Sequence, residues 1–387
     1  MNNYTLGEVT NNYDNLRVPL SENERSKKQG EYRYYGAQEV IDYIDEYIYD
    51  GKYILVAEDG NNLLSRNKPL CTLVEGKFWV NNHAHVIQGN EIADTTYLYY
   101  LLNRINIKGY VTGSAQPKLN QNNLNKIKIS LPKIEEQIEI ASKIELFDKK
   151  INNNLRIKEY LEEYMQLLYH EWFVDFNFPN EYGNRYSDNG GAFETIGGKN
   201  IPVGWDIIPL NNIVEKKTDA IVPQENPSEL YKYYSIPVYD ETKTYSEETG
   251  ENIMSNKFLV EKDNLLISKL NPWFKRVVYP INIDSAICST EFVVLKPLKH
   301  NILEYLYIIA TSDRFTNYCT NASSGTSNSH KRVNPDYMIK YKIPYQKDIV
   351  EKFNGIVHPL VKKIHLLIAE NKYLGETRDL LVRKLIK

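Results

Sequence analysis

Apolar residues recur in alternating steps of three and four along 134–172, at Ile140, Ile144, Phe147, Ile151, Leu161, Met165, Leu168 and Trp172, with Asn154 and Lys158 filling two polar gaps. This spacing is a heptad seam and predicts a helix of about 38 residues, roughly 57 Å long. No Gly or Pro interrupts it, and a rod of that length leaves its seam exposed unless it finds a partner. The end of the chain offers one: Phe353, Val357, Leu360, Ile364, Leu367, Asn371, Leu374, Arg378, Leu381 and Leu385 keep a four-three alternation without a slip. Charge favours the pairing, because 131–178 carries 6 Lys/Arg against 10 Asp/Glu while 346–387 carries 9 against 5. Each seam also has an Asn near its middle, a placement that costs stability but can fix register and partner. The expected scaffold residues are Ile144, Ile151, Asn154, Leu161 and Met165 against Leu360, Ile364, Leu367, Asn371 and Leu374. The alternative is that each helix packs separately on a globular domain.

Outside the seams the elements are shorter. Short β-type runs at 53–57, 78–80, 85–87, 257–260, 265–267 and 292–295 are separated by polar turns such as 58–62, with helical spacing near 97–103 and 302–311. The class is α+β. The chain also repeats: LGEVTNNYDNLRVP at 6–19 aligns without a gap on LNNIVEKKTDAIVP at 210–223, an offset of 204. Tyr32-Arg33-Tyr34-Tyr35 then matches Tyr231-Lys232-Tyr233-Tyr234, Tyr53-Ile54-Leu55-Val56 matches Asn264-Leu265-Leu266-Ile267, and Pro117-Lys118-Leu119-Asn120 matches Lys331-Arg332-Val333-Asn334. Common order with slowly drifting offsets reads as a tandem duplication, each copy a mixed domain followed by a long helix. The predicted boundaries are 1–132 for the first domain, 133–176 for its helix, 177–204 for a Gly-, Asn- and Pro-rich connector without periodicity, 205–344 for the second domain and 345–387 for the last helix.

A chain of 387 residues with 42% hydrophobic content is long enough for two or three domains and excludes wholesale disorder. Cys71, Cys288 and Cys319 are too scattered for a disulfide framework or a metal quartet. The polar opening MNNYTLGEVT and the lack of any apolar run of spanning length predict a cytoplasmic protein. Net charge of −3 argues weakly against a nucleic-acid partner, but the average hides an asymmetry. No acid occurs in 95–134, which holds Arg104, Lys108, Lys118, Lys126, Lys128 and Lys133; in 314–347, Arg314, Lys331, Arg332, Lys340, Lys342 and Lys347 face Asp336 alone. Two basic segments, one per copy, predict two anion-facing surfaces.

Base reading uses paired donors and acceptors, Asn and Gln for adenine and Arg or Lys for guanine. Turn-like settings in the first copy offer Asn81, Asn82, His83, Gln116, Lys118, Asn120 and Gln121. The second copy offers Lys269, Asn271, Lys275, Arg276, Ser289, Thr290, Ser327, Asn328, His330, Lys331 and Arg332. Many of these are expected to touch phosphate or to be plain surface. His83 and His85 alternate as ligands on a strand do, but lack further ligands at metal spacing, so one exposed and one inward His is the simpler reading. Asn271-Pro272-Trp273-Phe274 approximates the Asn-Pro-Pro-Phe tetrad of adenine methyltransferases without its second proline, and reads as a turn with an exposed aromatic. Asp59 with Glu75 and Lys77 imitates the carboxylates and lysine of metal-dependent nucleases, although Glu75-Gly76-Lys77 has the composition of a hairpin turn.

The stretches LPKIEEQIEIASKI at 131–144, HEWFVDFNFPNEYG at 170–183, NIPVGW at 200–205 and GSAQPKLNQNNL at 113–124 resemble the specificity subunits of type I restriction-modification systems. The resemblance extends over essentially the whole chain. It implies two tandem target-recognition domains joined by two long antiparallel coiled-coil helices, each domain reading one half of a bipartite double-stranded DNA site. It further implies a non-catalytic chain without cofactor, docked by two methyltransferase subunits and in some complexes two restriction subunits, with S-adenosylmethionine and ATP bound on those partners. A stiff helical pair suits such a role, since half-site spacing follows protein geometry. HKRVNPDYM in the second copy against QPKLNQNNL in the first predicts different half-sites. Two other functions are weighed: a stand-alone metal-dependent nuclease using Asp59, Glu75 and Lys77, and a coiled-coil adaptor that binds only proteins.

Overall fold

A computed structural model describes residues 1–386 except 38, 114–115, 282, 300 and 326–329. Two compact units emerge, Met1–Asn153 with Asn371–Lys387, and Asn154–Glu370. In the first, six strands lie in the order Thr10–Asn12, Ala84–Gly89, Tyr49–Ala57, Cys71–Val80, Gln29–Tyr35, Val40–Ile44. All neighbours are antiparallel except Gln29–Tyr35 with Cys71–Val80. The central strand is apolar without alternation because both of its faces are covered: Ile54 and Val56 join one core and Leu55 another. Helix Thr95–Arg104 packs on the first of these cores, its N-terminus capped by Asp94, whose carboxylate accepts from Tyr97 N.

The second unit repeats this plan. Leu265–Ser268 is its central strand, with Leu265 and Ile267 in one core and Leu266 in the other. It pairs with Phe292–Pro297, which pairs with Val214–Lys217, and Leu230–Tyr234 again runs parallel to its neighbour, Ala286–Cys288. Register confirms the repeat residue by residue. Ile54 faces Ile87 as Leu265 faces Leu295, and Arg33 faces Phe78 as Lys232 faces Ala286. Lys118 bridges Asp59 and Thr112 as Arg332 bridges Leu270 and Ser324. The copies part in how the strands are shared out: the second divides them between a four-stranded and a five-stranded sheet, and the five-stranded one also holds Ala220–Ile221 and Lys257–Leu259. Cys71–Val80 is continuous, whereas its counterpart breaks into Val277–Val278 and Ala286–Cys288 across a segment containing Pro280, a residue with no N–H to give to a ladder.

The two predicted rods are single helices, Ile134–Phe173 of 40 residues and Lys347–Leu385 of 39. Their contacts run antiparallel within each unit. In the first, Asn371 Nδ2 donates to the Ile151 carbonyl at 3.4 Å and Arg378 pairs with Asp148 at 2.8 Å. In the second, Asn154 Nδ2 donates to Glu370 at 2.9 Å and Trp172 meets Phe353 at 5.8 Å between ring centroids. Ile144, Asn154, Met165, Ile364 and Leu367 are buried, and Ile151, Leu161, Leu360, Asn371 and Leu374 half-buried, so the seam lies where the heptads place it. The last helix also contains Pro359, which that seam reading passed over. No helix of the described residues is long and apolar enough to cross a membrane.

The aperiodic connector is more ordered than its composition implies. Within 177–204, Phe193–Ile196 and Lys199–Pro202 form an antiparallel hairpin, and Phe178 and Ile201 are buried with Trp205 in the core of the second unit. Glu75-Gly76-Lys77 is not a hairpin turn either. It lies inside strand Cys71–Val80, paired with Asp50–Lys52, and the turn-like composition reflects Gly76 at φ 89° opposite Gly51 at φ 140°, backbone angles that a β-carbon opposes.

Candidate nucleic-acid interface

At one end of the central strand in each unit, three segments distant in sequence are tied together by backbone hydrogen bonds. In the first unit Glu58 N donates to the His83 carbonyl at 2.9 Å, Leu119 N to the Glu58 carbonyl at 2.8 Å, and Gly60 N to the Pro117 carbonyl at 3.1 Å. These bonds gather 58–60, 81–83 and 116–120 into one crest. In the second unit Lys269 N donates to the Glu291 carbonyl at 2.9 Å, Val333 N to the Lys269 carbonyl at 3.0 Å, and Asn271 N to the Lys331 carbonyl at 2.7 Å. The backbone plan is the same and the side chains differ: Glu58 corresponds to Lys269, Gly60 to Asn271, His83 to Glu291, Pro117 to Lys331 and Lys118 to Arg332.

Among the residues predicted for the first crest, Asn82, His83, Gln116, Lys118, Asn120 and Gln121 are exposed. His83 Nδ1 lies 2.7 Å from Asp59, and Lys118 Nζ lies 3.3 Å from Glu58. Asn120 is partly committed, its side chain accepting from Asn123 N at 2.9 Å to cap helix Gln121–Asn125. Asn81 departs from expectation: it is buried, and its side-chain oxygen accepts from His83 N at 2.9 Å, so it shapes the turn that presents His83. His85 faces inward as expected, fully buried between Asp14 at 2.5 Å and the Leu119 carbonyl at 2.7 Å.

In the second crest Thr290, His330 and Arg332 are exposed, and Lys269, Ser289 and Lys331 half-buried. Arg332 holds Glu291 through Nε and Nη2, each at 3.0 Å from a carboxylate oxygen. Ser289 Oγ accepts from Glu291 N at 3.2 Å. Asn271 is buried in a left-handed conformation, and its side chain accepts from Lys331 N at 3.0 Å; like Asn81 it is a bracing residue. Lys275 is ion-paired with Asp313. Arg276 is withdrawn from any ligand: it is buried, chelates Asp240 at 2.6 and 2.7 Å, and stacks on Phe274 at 4.4 Å. Trp273 and Phe274 beside it are exposed, as the turn reading of 271–274 expects. Ser327 and Asn328 lie outside the described residues.

Carboxylates at the crests went unread in the sequence. Glu58 meets Arg17 at 2.9 Å as well as Lys118; burial raises its pKa, but the Arg17 hydrogen bond, the nearby His85 and Lys118 outweigh that and hold it below the usual range. It is therefore an ionised acceptor, the group that can take a hydrogen bond from cytosine N4. Glu291 stands beside Arg332 in the other copy. The acids were invisible because their partners lie far away in the chain, Arg17 being 41 residues from Glu58.

The nuclease constellation does not assemble. Asp59 belongs to the crest, whereas Glu75 and Lys77 pair with Lys52 and Asp50 toward the other end of the strand; Lys52 to Ala57 alone spans about 17 Å. Among the described residues no group of three or more His, Cys, Asp or Glu is placed to hold a metal. The three cysteines are buried, and burial raises the Cys288 and Cys319 thiols to about 12.

Residues 1–163 match the family described as the type I restriction modification DNA specificity domain. A Haemophilus influenzae protein named as a type I restriction enzyme specificity subunit is 37% identical over 136 residues, 35% of this chain and 34% of its own length. The MjaIX type I restriction enzyme specificity subunit of Methanocaldococcus jannaschii is 25% identical over 330 residues, 75% of this chain and 68% of the relative. The chain thus spans about a third of the first relative and two thirds of the second. The S subunit of a type I restriction-modification system from M. genitalium shares the fold, with a TM-score of 0.63 at 16% identity, covering 99% of this chain and 95% of that one.

Proposed function

We infer that this chain acts as do the specificity subunits of type I restriction-modification systems that it resembles, each of its two domains reading one half of a bipartite DNA target through its crest. The observation that carries this reading is one backbone plan bearing two unlike side-chain sets. A shared scaffold suits a common ligand, duplex DNA, and Glu58, His83 and Lys118 against Lys269, Glu291 and Arg332 suit different base edges. In this reading the chain performs no chemistry, and methyl transfer from S-adenosylmethionine and ATP-driven cleavage belong to methyltransferase and restriction subunits docked on it. The paired helices are the scaffold for that docking.

Co-expression with the neighbouring methyltransferase, followed by single-molecule sequencing of methylated bases in host DNA, tests it. A split motif with a fixed gap is expected. A stable complex that adds no methylation would instead favour the protein-only adaptor, and methylation by the isolated chain with S-adenosylmethionine would contradict the division of labour.

Lys118 and Arg332 occupy equivalent bridging positions, so they serve as a matched pair of probes. Lys118→Ala is expected to weaken recognition of one half-site and Arg332→Ala that of the other, each by about 1–3 kcal/mol. Binding to duplexes with one half randomised measures the effect. Equal loss at both halves would mean that the duplication does not map onto the DNA.

A further inference from the structure

An internal duplication sorts residues by what they meet. Side chains that differ between copies suit whatever differs between half-sites, and side chains that agree suit whatever the half-sites share. The crests differ. Eight residues beyond Lys118 and eight beyond Arg332 the copies agree, in Lys126-Ile127-Lys128 and Lys340-Tyr341-Lys342. Hydrogen bonds put these triplets in the same place: Leu6 N donates to the Ile127 carbonyl at 2.8 Å as Leu210 N does to the Tyr341 carbonyl at 2.9 Å. Lys128 stands opposite Thr5 as Lys342 stands opposite Pro209. The middle residue of each triplet points inward, Ile127 fully buried and Tyr341 half-buried, while all four lysines are exposed.

We propose that these two lysine pairs grip the phosphodiester backbone flanking each half-site. The proposal rests on the DNA-reading function inferred above and adds the residues that would position the reader without reading. Phosphates are the feature two unlike half-sites have in common, and contacts to them fix register while carrying no sequence information. The surroundings favour an anion, since 95–134 contains no acid, and Asp336, the one acid in 314–347, is already held by Lys216 at 2.5 Å. Among the described residues no carboxylate lies within ion-pair distance of any of the four ammonium groups. A duplicated protein partner would also be common to both copies, but lysine is depleted in protein–protein interfaces. The route from crest to lysines is short in both units: one helix turn or so, Gln121–Asn125 or Pro335–Met338, about 6–8 Å of rise.

The test measures dissociation of the full chain, in complex with its methyltransferase, from two fluorescent duplexes over a range of KCl concentrations. One duplex carries the motif found by methylation sequencing and the other carries it shuffled. Lys126→Gln with Lys128→Gln, or Lys340→Gln with Lys342→Gln, is expected to lower the slope of log K against log salt by about 1.8, at 0.9 per phosphate contact. Both duplexes should weaken by the same factor and the methylated motif should not change, while the Lys→Arg versions keep the wild-type slope. An unaltered slope overturns the proposal. So does an unaltered slope accompanied by loss of methyltransferase from the complex, which would assign the lysines to the protein partner. A wild-type complex that does not prefer the motif duplex would fail the specificity function itself, and shows before any variant is made.

Discussion

Phe173→Ala is expected to destabilise the second unit by about 3–5 kcal/mol, the cost of emptying a buried aromatic site that cannot collapse. Phe173 is the last residue of the first long helix and is 2% exposed. Its ring lies 4.6 Å from that of Tyr305, 5.1 Å from Phe353, 5.4 Å from Tyr169 and 5.6 Å from Trp205. These partners come from both long helices, the helix Leu303–Thr311 of the second domain and that domain's first residue, Trp205, so one side chain closes four segments around itself. Phe173→Leu keeps most of the volume and should cost under about 1.5 kcal/mol. Urea unfolding followed by fluorescence measures the difference, because Trp172 and Trp205 are buried in the same core. A loss below about 1 kcal/mol in the alanine variant would show that the cluster repacks.

Acidification from pH 6.5 to 4 is expected to remove on the order of 3 kcal/mol from the same unit through His365 alone. Burial strips water from this imidazole and lowers its pKa from 6.5 to about 4, and its ring lies 5.2 Å from that of Tyr279. Between those two pH values the unfolded chain binds a proton that the folded one refuses, so stability rises with pH across the window. Above 6.5 the contribution is complete; below 4 the loss is complete. His365→Leu should flatten this part of the stability profile, and a slope unchanged by the substitution would exclude His365 as its source. Asp14 acts in the first unit at lower pH. Burial raises its pKa, but the His85 hydrogen bond and charge, Val86 N and Arg17 together hold it below the usual value, so its contribution is present near neutrality and is lost as pH falls through that depressed value.

The long helices were legible because a heptad is a local pattern: each apolar position predicts its neighbours three or four residues on, and Ile144, Met165, Ile364 and Leu367 lie buried where the count puts them. The duplication was legible for a similar reason, and strand register confirms the matches of Ile54 with Leu265 and of Lys118 with Arg332. The state of each polar side chain was not. Arg276 and Arg332 look alike in the sequence, yet Asp240, 36 residues away, withdraws the first from solvent, while the second stays on an exposed crest with Glu291. Asn81 and Asn271 carry the right groups for adenine, but Asn81 is spent on the His83 N–H of its own turn and Asn271 on the Lys331 N–H, 60 residues away. Such commitments depend on which segments meet in space, and the crests are built from segments far apart in the chain.

Asn2–Thr5 lies antiparallel to Lys128–Leu131, and Asp206–Pro209 lies antiparallel to Lys342–Tyr345. The chain therefore enters and leaves each domain through adjacent strands, hydrogen-bonded to one another over four residue pairs. Everything between these two strands forms a closed loop with a single doorway, and the doorway has the same width in both copies. Recombination within the entry and exit strands would exchange a whole domain as a cassette while leaving the helices and their heptad register untouched. New sequence preference could then arise in one step, by transplantation, without passing through the many destabilised intermediates that rebuilding a crest residue by residue would require.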